Sequence, residues 1–209
     1  MCEATCWILS IRRSHYRIRS IEHRILSVGA NILVRKLHIG GATASPGWEV
    51  LNIAEAPFVD HVGNANNLSR FEVNTFECIY ASHIFEHFDY KGELQTALHE
   101  WLRVLRPGGN LYISVPDLDT ISGLMLDKDL LDIGEQIFAM RMLFGGHEDP
   151  HDYHLVGFNE DILRWFLEEA GFTAITRVKK LGFFRDTSTQ RFKGKLISLN
   201  VTAVKPLAP

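Results

Sequence analysis

Short apolar runs separated by Gly, Pro, Asn and Ser alternate along this chain with stripes of apolar residues at helical spacing. Residues 32–39, 49–53, 59–62 and 76–81 are runs of the first kind and predict strands. Residues 91–105 are of the second kind. Leu94, Ala97, Leu98, Trp101, Leu102 and Leu105 share one side, and Arg106-Pro107-Gly108-Gly109 follows, where proline and glycine are expected to stop a helix and turn the chain. Residues 110–115 predict a strand, 119–144 a mostly helical region, and 145–153 a polar loop. Asn159 is placed to cap a helix that stops at Gly171, with Phe158 and Leu163 as its hydrophobic staple. Residues 174–180 and 195–204 predict a closing pair of strands. Strands alternating with helices, then a final antiparallel pair, give an α/β fold, a Rossmann-like three-layer sandwich with a mostly parallel sheet and a C-terminal antiparallel hairpin.

Before this domain, residues 7–26 place Ile8, Ile11, Ile18, Ile21 and Ile25 on one side and five arginines on the other, a basic amphipathic helix. The organisation expected is this helix within residues 1–30 and one domain over 31–209. A terminal helix packed on the domain fits the stripe, and a weak surface contact with a membrane or a partner is the alternative. Residues 1–36 hold seven Lys or Arg against two Glu, a balance of +5, while the other 173 hold 15 against 23, a balance of −8. So local an excess argues against a nucleic-acid partner, which needs a broad basic face. With 46% hydrophobic and 22% charged residues and no apolar run of membrane-spanning length, the composition predicts a soluble, cytoplasmic protein. Cys2, Cys6 and Cys78 suit neither a disulfide framework nor zinc spacing.

Ligands of open parallel sheets bind beyond the carboxyl ends of the strands. The residues that follow the apolar runs are Gly40-Gly41, Asn52, Asn64-Ala65, Ser82-His83 and Asp117. Histidines there can move protons, and Asp117 can act as a base or cap the next helix. His87, four residues after His83, shares its face on a short helix. His147, His151 and His154 crowd the polar loop, but Pro150 interrupts any helix that would align them. The loop is therefore expected to be a lid carrying substrate contacts, hinged at Gly145-Gly146, and not a metal site. Phe183, Phe184 and Phe192 suit either a substrate wall or core and turn.

The phrases KLHIGG, GWEVLNI, SHIFEHF and EWLRVLRPGG, between Lys36 and Asp117, resemble class I S-adenosylmethionine-dependent methyltransferases, and FGGHEDPHDYHLVGF and LEEAGF resemble the C-terminal half of small bacterial members. The resemblance implies S-adenosylmethionine as cofactor. It places Gly40 and Gly41 at the methionine part, Asn52 at the ribose hydroxyls, Asn64 with Ala65 at the adenine, and Ser82 at the mouth of the transfer site. His83, His87, Asp117 and His154 become the catalytic candidates. The acceptor implied is a small molecule or a saccharide intermediate, with O-methylation favoured by the histidines; a catalytically degenerate binding module is the alternative. Two departures stand out. Asn52 and Asn64 stand where the family usually has acids, and only seven residues, 42–48, separate the glycines from the next strand, where the family inserts a helix. A helical crossover needs a dozen or more residues, so this connection is predicted to be a bare loop.

Overall fold

Every second residue of a strand faces the same way, so three of the runs sort their side chains cleanly between two sheet faces. The computed structural model describes residues 34–207, and the basic helix predicted over 7–26 lies outside them. Four strands come first: β1 (Lys36–Ile39), β2 (Glu49–Asn52), β3 (His61–Val62) and β4 (Phe76–Ser82). Then follow α1 (Glu93–Val104), β5 (Leu105–Pro116), α2 (Leu118–Leu126), α3 (Ile133–Phe144) and α4 (Glu160–Glu169). The chain ends in β6 (Thr173–Val178), a small hairpin of β7 (Arg191–Phe192) and β8 (Lys195–Leu196), and β9 (Ser198–Val204). The main sheet has the order β3-β2-β1-β4-β5-β9-β6. Its pairings are parallel from β3 to β5 and antiparallel on both sides of β9. This is the predicted Rossmann-like architecture.

One face of this sheet makes the main core. Leu37 and Ile39 of β1, Ile79 and Ala81 of β4, and Leu111 and Ile113 of β5 are buried there. They share a cluster with Leu94, Leu98 and Trp101 of α1 and with Leu163, Phe166 and Leu167 of α4. Asn159 caps α4 as its sequence predicts, accepting from Ile162 N at 3.0 Å. Asp132 and Glu135 close a capping box on α3, which explains why the helical region 119–144 breaks in two.

Two local expectations change. The Arg106–Gly109 stretch is not a free turn but a bulge inside β5: Leu105 pairs with Phe76 and Asn110 with Cys78, leaving four residues opposite Glu77. A side chain on Gly109 would meet the Arg106 and Glu77 carbonyls at 2.8 and 2.9 Å, so glycine is the residue that lets β5 rejoin the sheet. The predicted strand 195–204 is split at Ile197, because Lys195 and Leu196 turn out to pair with Arg191 and Phe192.

The opposite face carries His38, Tyr80 and Tyr112. The connection from β1 to β2 contains no helix, as its length dictates. Trp48 at its end instead joins Phe183 and Phe184 over that face, with the Phe184 ring 4.0 Å from His38 and 4.7 Å from Tyr80. The two phenylalanines are therefore packing residues rather than a substrate wall; Phe192 packs on Phe138. The Tyr80 hydroxyl donates to Asp186 at 2.6 Å, fastening the covering segment to the sheet.

Burial among these rings pushes the His38 imidazole down to about 4, against a weaker upward pull from Asp186. Its unfolded-state value is higher, so the unfolded chain takes up a proton first as the pH falls. The stability linked to His38 should be complete above about pH 6.5 and drain away towards pH 4, by about 3 kcal/mol in all. Denaturant unfolding of wild type and His38→Leu at pH 7, 5.5 and 4.5 checks this: the variant should lose less stability across the series, and parallel losses would refute it.

Candidate functional site

At the carboxyl end of β1 the chain must turn at once. Gly40 does so at φ +74°, donating its N–H to Leu51 O at 2.7 Å, and a side chain there would run into Ile84. At the end of β2, Asn52 reaches across: its Nδ2 donates to Gly41 O at 3.1 Å while its Oδ1 accepts from Ala54 N at 3.0 Å. The amide ties the short return loop, a task a carboxylate could not perform because it has no proton to give a carbonyl. Asn64 organises the next turn through Asn66 N at 3.2 Å, and Ala65 offers its carbonyl to Trp101 Nε1 at 2.8 Å.

These residues open onto a cleft of about 470 Å³. Gly40, Asn52, Asn64, Ala65 and His87 line it, over an apolar floor of Ile39, Leu51, Ile84 and Phe88. A second cavity of about 310 Å³ lies beyond the ends of β4 and β5, where His83, Arg141, Asp152, His154 and Gln190 face Pro116, Ile121 and Ile197. The candidates read from sequence thus divide: His83 and His154 line the second space and His87 the first. Gly41, Ser82 and Asp117 line neither. Gly41 backs onto the His38 ring, and Ser82 Oγ is buried without a hydrogen-bond partner among the described residues.

Between the two spaces stands Glu86, completely buried. His83, in a positive-φ conformation, holds its Nε2 2.9 Å from Ser198 Oγ and its Nδ1 3.3 Å from Glu86 Oε1. His154 Nε2 approaches the same oxygen at 3.9 Å, and the His87 and His154 rings meet edge to face at 4.7 Å. Burial alone would push the Glu86 carboxyl up, but the surrounding His83, His87 and His154 bring it below the usual carboxylate range. Burial in turn lowers His154. Glu86 is not among the candidates legible at the strand ends; its signal in the sequence is a lone acid inside SHIFEHF, between aromatic residues that the fold buries.

The polar loop after α3 walls both spaces and is bound down rather than open. His147 N donates to Asp152 O at 3.0 Å, His154 N to Phe144 O at 3.1 Å, and the His147 ring stacks on Tyr153. Any side chain at Gly145 would strike the Asp152 carbonyl, so this glycine answers to close packing as well as to its φ of +88°.

Residues 46–113 match the family model described as Methyltransferase domain, which spans the Asn52 and Asn64 turns, Glu86 and α1. No curated protein matches the chain. Among solved structures, a SAM dependent methyltransferase from Archaeoglobus fulgidus is similar at TM-score 0.51 and 16% identity, over 82% of this chain and 86% of that one. The Burkholderia thailandensis 1,6-didemethyltoxoflavin-N1-methyltransferase, solved with 1,6-didemethyltoxoflavin and S-adenosylhomocysteine, is similar at 0.52 and 18%, over 82% and 71%. The CurJ carbon methyltransferase is similar at 0.50 and 16%; the match covers 83% of this chain but about half, 48%, of that one. These solved structures share the fold, and within it residues 46–113 carry the match to a methyltransferase domain.

Asp117, a candidate base in the sequence, is committed elsewhere. It is buried, accepts from Thr120 N and Oγ1 at 3.3 and 2.9 Å as the cap of α2, and pairs with Arg177 at 2.6 Å. Asp117→Ala should lower the unfolding free energy by about 2 kcal/mol or more through the lost cap and charged hydrogen bond. Asp117→Asn, which keeps the cap acceptor, should cost clearly less. Equal losses in denaturant unfolding would show that the cap contributes nothing.

Proposed function

We propose that this methyltransferase domain binds S-adenosylmethionine in the Gly40 cleft and methylates a hydroxyl on a small molecule or saccharide intermediate held in the second cavity. The observation that carries the reading is convergence: the turns after β1, β2 and β3, separate in sequence, line one cleft. Its volume of about 470 Å³ lies in the range of small-ligand sites.

The residues present fit the cofactor. Gly40 leaves backbone without a side chain at the end of β1, Asn64 and Ala65 offer a polar edge beside a small residue, and the apolar floor suits a flat base. When bound, S-adenosylmethionine supplies a methyl group already activated on a sulfonium. The chain then has to align the acceptor, keep water away and take up a hydroxyl proton. His83 and His154 are the imidazoles facing the second cavity for that last task, and Arg141, Asp152 and Gln190 give it the hydrogen-bonding character a hydroxylated acceptor requires. The CurJ and toxoflavin relatives act on carbon and nitrogen, so oxygen as the acceptor atom rests on this chain's own histidines.

Binding should be weak. No helix follows the glycines, so no ring of free N–H groups with its helix dipole faces an anionic carboxylate, and Asn52 has spent both ends of its amide on the loop. Calorimetric titration with S-adenosylhomocysteine should give a dissociation constant of about 10 μM to 1 mM. Asn52→Asp should weaken binding further, because the new carboxylate would face the Gly41 carbonyl. A folded protein that takes up none at millimolar concentration would overturn the cofactor assignment; tighter binding by Asn52→Asp would overturn the account of the loop.

A further inference from the structure

A buried carboxylate is costly unless it is paired and hydrogen-bonded. Glu86 is fully buried, and neither of its oxygens has a hydrogen-bond partner among the described residues. The His83 Nδ1 contact at 3.3 Å and the His154 Nε2 contact at 3.9 Å supply proximity without hydrogen-bond geometry. His154 Nδ1 is likewise buried without a partner.

His87 adds a second independent observation. Its Nδ1 lies 3.1 Å from Tyr153 O, and a carbonyl can only accept, so the proton sits on Nδ1 and the Nε2 lone pair is free. A backbone carbonyl holding the far nitrogen is the support that metal-binding histidines commonly have. Donor atoms of Glu86, His87 and His154 all lie within 4.8 Å of one another, the one such group among the described residues.

We propose that Glu86, His87 and His154 bind a divalent transition-metal cation in the wall between the two cavities. One carboxylate and two imidazoles suit zinc, manganese or iron(II) better than magnesium or calcium, which favour all-oxygen sites. Bonds of about 2.0 to 2.2 Å require the three side chains to close on the ion by roughly 1 Å. The cation would give Glu86 the partner it lacks. This ligand set is not the His147, His151 and His154 spacing visible in the sequence: the fold brings His154 to the turn after β4 and leaves His147 stacked on Tyr153. His87 lines the first cavity and His154 the second, so the ion sits at their boundary. If the second cavity holds the acceptor, a point that rests on the function proposed above, the ion is placed to hold an acceptor oxygen, and with His154 bound to the ion His83 is the imidazole left to take up the proton.

The test uses the full chain, stripped with chelator, without any nucleoside, so it stands apart from cofactor binding. Cobalt(II) is titrated by calorimetry and by its visible absorption, with zinc as competitor. About one equivalent should bind, and His87→Ala, His154→Ala and Glu86→Gln should each weaken it at least about tenfold, while His147→Ala should leave it unchanged. Circular dichroism checks each fold, and should Glu86→Gln not fold, the two histidine variants carry the comparison. No uptake by folded wild type at about 1 mM cobalt or zinc would overturn the proposal, as would equal loss in His147→Ala.

Discussion

The constraint on which the site depends is the length of chain between the first two strands. Seven residues, 42–48, must return the chain to the start of a parallel neighbour, and fully extended they reach at most roughly 25 Å. No helix fits, and two consequences follow. The loop needs its own fastening, which Asn52 supplies by donating to the Gly41 carbonyl. The sheet face around His38 and Tyr80 receives no helix from this crossover, and Trp48 with Phe183 and Phe184 covers it instead. The amide at the end of β2 is thus part of the same short connection. A carboxylate placed there would repel the carbonyl that the amide holds.

A second pole of the site is Glu86. The 3-10 turn Phe85–His87 directly after β4 presses Phe85 into the main core, where it stacks on Phe158, and the backbone of Glu86 accepts from Leu155 N at 2.8 Å. The core therefore positions the turn, and the turn holds an acid with imidazoles at the wall between two cavities. The loop after α3 completes that wall from the other side, with Tyr153 facing one space and Asp152 the other. Packing and chemistry are joined here: residues that bury the turn also decide which way its histidines face.

Much of this was legible in the chain itself. The alternation in β1, β4 and β5, the stripe of α1 and the Asn159 cap are local signals, because strand and helix periodicities and caps act over a few residues. So is the count of seven residues that forbids a crossover helix. The turns that line the cleft could be placed because strand ends follow apolar runs. What the sequence did not reveal is every relation that spans the chain. Asp117 could be read as a base or as the cap of the next helix, and it is the cap, but only the fold brought Arg177, 60 positions away, to 2.6 Å from it. Phe183 and Phe184 looked like an unassigned aromatic pair until the missing helix left them a face to cover. Glu86 and His154 are 68 positions apart, and no periodicity links them. The chain by itself determined most of the elements and the bare loop, because those follow from local sterics and chain length. Only the tertiary structure decided which charges are satisfied, which are buried without a partner, and which histidines meet, because burial and electrostatics depend on neighbours that the linear order does not specify.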